Sequence, residues 1–391
     1  MRLLTHRGVP VWRDVRVLRW AAQIVSVIAV LSFLMFAVSN VLDAADKRGL
    51  ALGFDFLGEE AGFPIAESVI DYEESDSFRY AFWIGILNTI KVALLGIVLA
   101  TVLGVIVGVA RLSTNWLLRQ IAGVYVETFR NIPLLVQLFF WYFGVFLLLP
   151  RVQESIHWPG PVYMNNRGIF MVWGDASGSF APWLLFVLAG ILLAVLVRIL
   201  LSRRQERSGR PSYPNLAGGL ALILVAALGW VLVSDSPLTR EVPVLERFNF
   251  KGGQRLTPEF LALLVGLVVY TSAFIAEIVR AGIQSVQKGQ VEASRALGLS
   301  AVQSLRFVVF PQALRVIIPP LISQFLNLTK NSSLALAIGY PELFSVGRIM
   351  INQAGRAVPI FLMIMAAYLA MSLTYAIIGN IYDRLVRYEE R

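Results

Sequence analysis

Apolar runs long enough to cross a bilayer recur along almost the whole chain of 391 residues. A helix needs about 20 mostly apolar residues to cross the hydrocarbon core of a membrane. Eight runs meet this requirement, at about 19–42, 83–110, 125–150, 182–201, 215–233, 258–278, 321–338 and 358–381. Hydrophobic residues make up 57% of the sequence and charged residues only 15%, which is too apolar for a water-soluble globular protein. The sequence therefore predicts an all-α, polytopic membrane protein with about eight transmembrane helices.

Basic residues cluster at alternate ends of these runs, as expected on the cytoplasmic side of a membrane. The clusters contain Arg2, Arg7, Arg13, Arg16 and Arg19; Arg111 and Arg119; Arg203, Arg204, Arg207 and Arg210; and Arg384 and Arg387. The segment 43–80, by contrast, holds ten acidic residues. This pattern predicts that both termini are cytoplasmic and that 43–80 is extracytoplasmic. The first run is longer than the apolar part of a signal peptide and no A-x-A site follows it, so we interpret it as an uncleaved span.

Composition excludes several kinds of chemistry. The chain has no cysteine, and only His6 and His157 offer imidazole, so no metal site is indicated. The net charge of +9 comes from arginines beside apolar runs, and we therefore predict no binding of nucleic acid. No G-x-x-x-x-G-K-[ST] motif is present, so the chain lacks a phosphate-binding loop of that type. The chain is therefore expected not to be an enzyme and to need no cofactor.

One charged, amphipathic segment of about thirty residues separates the last apolar runs and is predicted to form two short helices in water. Gly298 is a suitable stop for the first helix, because glycine adopts the left-handed conformation found after helix ends. Ser300 and Gln303 have the spacing of a capping box that starts the second helix. An ordinary amphipathic loop between two spans is the alternative interpretation.

This segment resembles the E-A-A-x3-G-x9-I-x-L-P loop of ABC importer permeases. The matching residues are Glu292, Ala293, Ser294, Gly298, Val308, Phe310 and Pro311. Ser294, Val308 and Phe310 depart conservatively from the family's Ala, Ile and Leu. The resemblance implies a type I ABC importer permease whose cytoplasmic coupling helices, 290–311, dock on an ATPase. In that interpretation Glu292 caps or ion-pairs at the docking surface, Ala293 and Gly298 allow close approach, and Pro311 fixes the exit of the second helix.

Two further segments are similar to the polar amino-acid branch of the same family. Residues 125–138, Y-V-E-T-F-R-N-I-P-L-L-V-Q-L, match its R-(G/N)-(T/I)-P-L-L-V-Q segment, and residues 327–334, N-L-T-K-N-S-S-L, match its K-(D/N)-(T/S)-S-L segment. The length and an insertion resemble the larger permease subunit of general L-amino-acid or glutamate/glutamine/aspartate uptake systems. The partners implied are an ABC ATPase dimer, a second homologous permease in a heterodimer, a periplasmic solute-binding protein and the bacterial inner membrane.

The resemblance also suggests a division of the chain into four parts. Residues 1–80 hold an extra span and an extracytoplasmic segment, 81–150 the first part of the permease core, 151–257 an inserted helical hairpin, and 258–391 the second part of the core with the coupling helices. The segment 151–181 is expected to be a non-helical excursion on the outer side. Pro319 and Pro320 are expected to break the chain before the span 321–338.

A polar face is predicted on that span, because Gln324, Asn327 and Asn331 are spaced i, i+3 and i+7. Polar groups in lipid are costly, so this face should meet protein or water. We predict that Gln324, Asn327, Lys330, Asn331 and Ser332 line a path for an amino acid; hydrogen bonding between helices is the alternative. Three other functions remain open at this stage: an ABC permease for another small polar solute, a secondary transporter, and a membrane scaffold or channel subunit.

Overall fold

The computed structural model of the protein describes residues 5–6, 9–10, 15–47, 52–209 and 212–386. Five of the arginines from which the orientation across the membrane is predicted lie outside these described residues. They are Arg2, Arg7, Arg13, Arg210 and Arg387. Within the described residues, seven helices are long and apolar enough to cross a membrane, and the number is eight when one sharply bent helix pair is counted as a single span. The prediction of an α-helical chain with about eight spans is thereby confirmed.

The described elements follow one another along the chain in this order. The helices are α1 (Val15–Lys47), α2 (Phe78–Ala110), α3 (Trp116–Asn131), α4 (Leu134–Phe139), α5 (Phe180–Ser208), α6 (Pro214–Leu232), α7 (Pro258–Gln284), α8 (Lys288–Ala296), α9 (Ala301–Ser304), α10 (Phe310–Asn331), α11 (Leu343–Ala354) and α12 (Ala357–Val386). The strands are β1 (Thr5–His6), β2 (Val9–Pro10), β3 (Ile156–Trp158), β4 (Val162–Asn165), β5 (Gly168–Met171), β6 (Trp173–Ala176), β7 (Leu238–Glu241), β8 (Val244–Glu246), β9 (Asn249–Lys251) and β10 (Gln254–Leu256).

Contacts between residues divide the chain into two compact units. The first comprises Met1–Ala93, Ile318–Leu336 and Pro341–Arg391, and the second comprises Leu94–Ile317 and Ala337–Tyr340. These units are defined by packing rather than by sequence motifs. The four-part division drawn from the sequence stays a prediction.

The first unit has a core in which the stretch before α2 packs with α11 and α12. Phe56, Phe63 and Phe78 are almost fully buried against Leu343 and Met350 of α11. Aromatic rings supply much of this contact, with the centroids of Phe56 and Phe78 5.7 Å apart in an edge-to-face arrangement. Part of the acidic stretch 43–80 is therefore a folded layer, not an extended linker.

Helix α7 is the most buried long helix of the second unit. A Cβ atom built on Gly104 of α2 would lie 2.6 Å from the side chain of Ile275, and one on Gly108 would lie 2.7 Å from the carbonyl of Ala276. Glycine is required at both positions because side chains and a backbone carbonyl of α7 occupy the space that a Cβ would need. α2 and α7 are therefore in close contact along this stretch.

The span predicted at 125–150 is bent by 104° between α3 and α4. Pro133 lies at this break and lacks the N–H group that would continue α3. The buried side chain of Gln137 donates two hydrogen bonds across the break, to the carbonyl of Phe129 at 2.9 Å and to that of Ile132 at 3.0 Å. The backbone groups freed by the proline are thus satisfied by a side chain of the following helix, which continues as a π-helical segment through Phe146.

The segment 151–257, which is predicted to be an insertion, combines two packed helices with small antiparallel sheets. α5 and α6 approach closely at Gly218, where an added Cβ would lie 2.9 Å from the carbonyl of Ala194. Strands β10, β5, β4 and β3 form one sheet in that order, and β6 pairs with β7 and β8 with β9. Tyr163, Phe170 and Phe250 fill a small aromatic core with the buried Val152. The non-helical outer excursion predicted for 151–181 has this sheet as its structure.

The predicted break at Pro319–Pro320 is wrong, because both prolines stand inside α10. α9, a π-helical segment at Leu305–Val309, α10 and a 3₁₀ segment at Ser332–Ile338 follow one another without a break, giving a helical stretch of 38 residues. Each proline removes one backbone hydrogen bond, and transmembrane helices tolerate this when nearby groups replace the bond. The second predicted coupling helix and the following span therefore belong to one unbroken helical stretch.

Candidate coupling surface and polar path

The turn after α8 is a complete Schellman motif. Gly298 has φ of +79°, and its N–H donates to the carbonyl of Arg295 at 2.9 Å. The N–H of Leu299 donates to the carbonyl of Ser294 at 3.1 Å, which closes the longer of the two characteristic bonds. The prediction that Gly298 ends the first helix is confirmed, and a side chain at this position would be strained in the left-handed region.

α9 begins with the predicted capping box. The hydroxyl of Ser300 accepts from the N–H of Gln303 at 3.3 Å, and the side chain of Gln303 accepts from the N–H of Ser300 at 2.9 Å. The hydroxyls of Ser294 and Ser304 are 2.5 Å apart and buried, so they join α8 to α9. The turn between the two helices therefore satisfies its own polar groups without a partner.

The predicted coupling residues do not all face the same way. Glu292, Ala293, Gly298 and Pro311 are exposed, whereas Ser294 is buried in the contact with Ser304. The residue that replaces the family's Ala thus holds the two helices together. Two exposed apolar residues flank the turn and were missed from sequence: Leu297 is 82% exposed and Val302 is 74% exposed. Their signal in the sequence was an apolar residue on each side of a capped turn.

A small cleft lies beside α8 and is lined by Ser285, Val286, Gln287, Gln290, Gln312 and Arg315. The side-chain amide of Gln312 in α10 reaches the Oε1 atom of Gln290 at 3.5 Å. Both ends of the helix pair are therefore in contact with the first turns of α10. Mostly uncharged polar groups line this cleft.

A group of charged side chains lies near the end of α7. Glu277 is bonded to Arg111, the first residue after α2, and to Arg280 of its own helix. Arg130 of α3 lies over the ring of Phe274, with its guanidinium carbon 5.1 Å from the ring centroid. In the described part of the chain Arg130 forms no ion pair with the neighbouring Glu127, because it packs on α7 instead.

Four of the five residues predicted for the substrate path have exposed or half-buried side chains. Asn327 and Lys330 are exposed, and Gln324 and Asn331 are half-buried. Ser332 differs, because it is fully buried and donates to the carbonyl of Thr329 at 2.7 Å. Lys330 also lines a cavity with Ser333, Phe344, Ile364, Met365, Ala366, Tyr368 and Leu369. The polar face is thus present on α10, and Ser332 is turned away from it.

A buried polar network in the first unit was not predicted. Asn88 of α2 donates to the carbonyls of Glu67 and Pro341, both at 2.8 Å. Thr89 accepts from the N–H of Leu343 at 3.0 Å, at the start of α11. These bonds tie three segments of the unit together. A polar pair within the apolar run 83–110 was the signal in the sequence, because such groups rarely stay unpaired in a membrane helix.

The same network includes a fully buried carboxyl group. Glu342 is the N-cap of α11 and accepts from the N–H groups of Phe344 and Ser345 at 3.0 and 2.7 Å. It also accepts from the hydroxyl of Tyr368 at 2.8 Å. Burial raises the pKa of Glu342, and the hydrogen bonds that it accepts oppose this rise. Within the described ranges, no group of three or more His, Asp or Glu side chains is arranged to hold a metal ion.

The chain is similar in sequence to known membrane transport proteins. The family model described as "Binding-protein-dependent transport system inner membrane component" matches residues 211–390. The chain is 41% identical over 94% of its length to the general L-amino acid transport system permease protein AapQ of Rhizobium johnstonii, of which it covers 92%. It is 37% identical over 97% of its length to the glutamate/glutamine/aspartate/asparagine transport system permease protein BztB of Rhodobacter capsulatus, of which it covers 96%. A crystal structure of an amino acid ABC transporter with histidines is 21% identical, with a TM-score of 0.47, and the match covers 78% of this chain and 94% of that chain.

Such identity over nearly complete chains establishes the family. The chain belongs to the permeases of amino-acid ABC transporters, which are multi-pass proteins of the inner membrane. The resemblance noted in its three motifs is thereby confirmed, together with the fold class of an ABC importer permease. It is a permease subunit of an amino-acid importer.

Proposed function

We propose that this permease forms half of a translocation path for L-amino acids and pairs with a second, homologous permease. ATP is hydrolysed by a separate ABC ATPase dimer, and a periplasmic solute-binding protein delivers the substrate. Both termini lie in the cytoplasm in this proposal, on the same side as α8 and α9. General L-amino acids or the glutamate, glutamine and aspartate group are the substrates suggested by the names of the relatives.

The observation that carries this proposal is the self-contained turn between α8 and α9. Its polar groups are satisfied internally, while Leu297 and Val302 project from it into solvent. Large apolar side chains on a rigid, polar-capped turn are suited to insertion into a groove of another protein. The unbroken helical stretch from α9 through α10 leads along the chain from this turn to the residues of the predicted polar face. A continuous helix transmits displacement along its length. Closure of the ATPase dimer can therefore move the residues that line the translocation path.

The coupling role is tested by the change Gly298→Asp. Asp would occupy the left-handed position at a cost and would add charge beside Leu297, so the turn should no longer fit its groove. We expect transport and substrate-stimulated ATP hydrolysis to be lost while the amount of permease in the membrane is unchanged. Uptake of radiolabelled L-glutamate and L-glutamine by membrane vesicles, with parallel measurement of ATP hydrolysis, provides the readout.

Gly209→Asp is the matched control. Gly209 follows α5, is exposed, has φ of +64° and, like Gly298, has no atom within 4 Å of an added Cβ. The control should therefore carry the same backbone strain and retain coupled transport. Normal uptake by the Gly298→Asp protein would refute the coupling role. Uptake that follows an ion gradient and persists without ATP would refute the dependence on an ATPase.

The path is tested by Asn327→Ala and Asn331→Ala. Asn327 is exposed and Asn331 half-buried, so neither change leaves a large cavity. We expect the relative uptake of L-glutamate, L-glutamine and L-histidine to change at constant protein level, because a lining residue contributes to substrate selection. A fall in protein level with unchanged preference would show a packing role instead.

A further inference from the structure

The contact between α2 and α7 has two parts, one apolar and one charged. At Gly104 and Gly108 of α2 the side chains of Ile275 and Val279 and the carbonyl of Ala276 lie so close that added Cβ atoms would be 2.6 and 2.7 Å from α7. This apolar contact allows close approach of the two helices but contains no charged group. One directional contact lies just beyond it, the ion pair between Arg111 and Glu277.

Glu277 is held in place by its own helix. The Nε atom of Arg280 donates to both carboxylate oxygens of Glu277, at 3.0 and 3.1 Å, and its Nη1 atom donates to Gln284 at 2.5 Å. The side chains of Arg111, Glu277 and Arg280 retain only 21%, 26% and 29% of their exposure. Partly buried, bidentate pairs of this kind are stronger and more rigid than exposed surface pairs.

This group is close to the coupling pair along the chain. α7 ends at Gln284, and only Ser285, Val286 and Gln287 separate it from the start of α8. Any displacement of α8 along the membrane normal therefore acts on the end of α7, within two turns of Glu277. The ion pair between Glu277 and Arg111 connects this end of α7 to the end of α2.

We propose that Glu277 is a positioning residue for coupling, which transmits movement of the α8–α9 pair from α7 to α2 through Arg111. This inference rests on the proposed coupling role of α8 and α9. Without the carboxylate the apolar contact at the two glycines remains, but the end of α7 loses its charged link to Arg111. ATP is then hydrolysed without the matching movement of α2. A purely structural ion pair would instead lower the amount of folded protein and leave each assembled transporter fully coupled.

The test compares Glu277→Gln, Arg111→Gln and the double variant in the full transporter, reconstituted in liposomes with its partner permease, ATPase and binding protein. The quantity measured is radiolabelled L-glutamine taken up per ATP hydrolysed. We expect Glu277→Gln to lower this ratio about tenfold, which corresponds to ~1.4 kcal/mol of lost coupling. Arg111→Gln should lower it in the same direction, and the double variant should be no worse than Glu277→Gln alone, because both changes remove one link. Arg119→Gln is the matched control, since Arg119 of α3 is exposed and its side chain donates to the backbone carbonyl of Ser113, in the loop before α3, at 3.3 Å.

Each outcome decides the matter. A normal ratio in the Glu277→Gln protein would overturn the inference, as would a double variant whose loss equals the product of the two single losses. Uptake and hydrolysis that fall together at a constant ratio would also overturn it, because they indicate a role in folding only. If Gly298→Asp uncouples the transporter and Glu277→Gln does not, the proposed function stands and only this inference fails.

Discussion

The bend at Pro133 illustrates how one side chain can replace several backbone hydrogen bonds. Gln137 is 3% exposed and directs both N–H groups of its amide to carbonyls on the far side of the break. A carbonyl buried in an apolar surrounding without a donor costs about 1–3 kcal/mol. The glutamine of the P-L-L-V-Q motif therefore has a structural explanation that does not involve substrate.

Gln137→Leu should destabilise the protein by about 2 kcal/mol, because two buried carbonyls lose their donors while the volume of the side chain is roughly kept. The midpoint of thermal unfolding of the purified protein in detergent is expected to fall. Val136→Leu serves as the control, since Val136 is the adjacent residue and is 54% exposed. An unchanged midpoint in the Gln137→Leu protein would contradict the assignment.

At this scale the sequence predicted contacts between neighbouring residues better than contacts between distant ones. Gly298, Ser300 and Gln303 were predicted correctly because local spacing alone determines capping. The partners of Asn88 and Glu277 could not be predicted, since those residues meet groups far away in the chain. Ser294 and Ser332 were assigned to working surfaces by their motifs, and only the folded chain shows that both are buried.

The helix pair α8–α9 behaves as one element because the hydroxyls of Ser294 and Ser304 lie 2.5 Å apart in its interior. The chain contains no cysteine, so a disulfide introduced here would be the first in the protein. The double variant Ser294→Cys with Ser304→Cys should oxidise readily, because this spacing suits a bond of about 2.04 Å between two sulfur atoms.

We expect the oxidised and the reduced double variant to transport at equal rates, because the pair moves as a unit. Disulfide formation is followed by mass spectrometry after alkylation, and uptake is measured with and without dithiothreitol. The single variants show any effect of cysteine itself. Uptake that is lost on oxidation and restored by reduction would mean that the two helices separate during each cycle.

The prediction for α10 failed for a reason that is general to membrane helices. Two adjacent prolines end most helices in water, but they are tolerated where surrounding groups replace the lost bonds. Local sequence could not distinguish the two cases. Between α3 and α4 a single proline, Pro133, does coincide with a break.

At the scale of the whole chain, α5 and α6 form the helical hairpin that the sequence predicts to be an insertion. α5 and α6 pack on each other, and the ends of the hairpin meet where Ser177 bonds the backbone of Pro237 at 3.0 Å and that of Ser236 at 2.7 Å. Removing 178–235 and joining the ends with a short glycine linker should therefore preserve the sheet pair β6–β7. An even number of spans is removed, so the direction in which later spans cross the membrane is kept.

We expect the shortened permease to assemble with its ATPase and to retain ATP-dependent uptake. Co-purification of the ATPase and uptake by vesicles are the measurements. Deletion of α5 alone is the contrasting variant, because loss of one span would reverse the orientation of everything after it. Failure of the shortened chain to bind the ATPase would show that the hairpin supports the rest of the protein.

The number of spans, the fold class and the family could be read from the sequence because apolar runs and three motifs are local signals. The two compact units could not, since they depend on which distant helices pack together. The strands of the insertion were also invisible, because each is only three or four residues long and gives no clear alternation.

The capped turn between α8 and α9 has a consequence for how the transporter is supplied with energy. A turn that is already folded loses little conformational entropy when it binds a groove on another protein, and it does not need to refold when it dissociates. If the proposed coupling role is correct, one ATPase can bind different permeases that carry the same turn. New uptake systems would then need a new membrane subunit but no new ATPase.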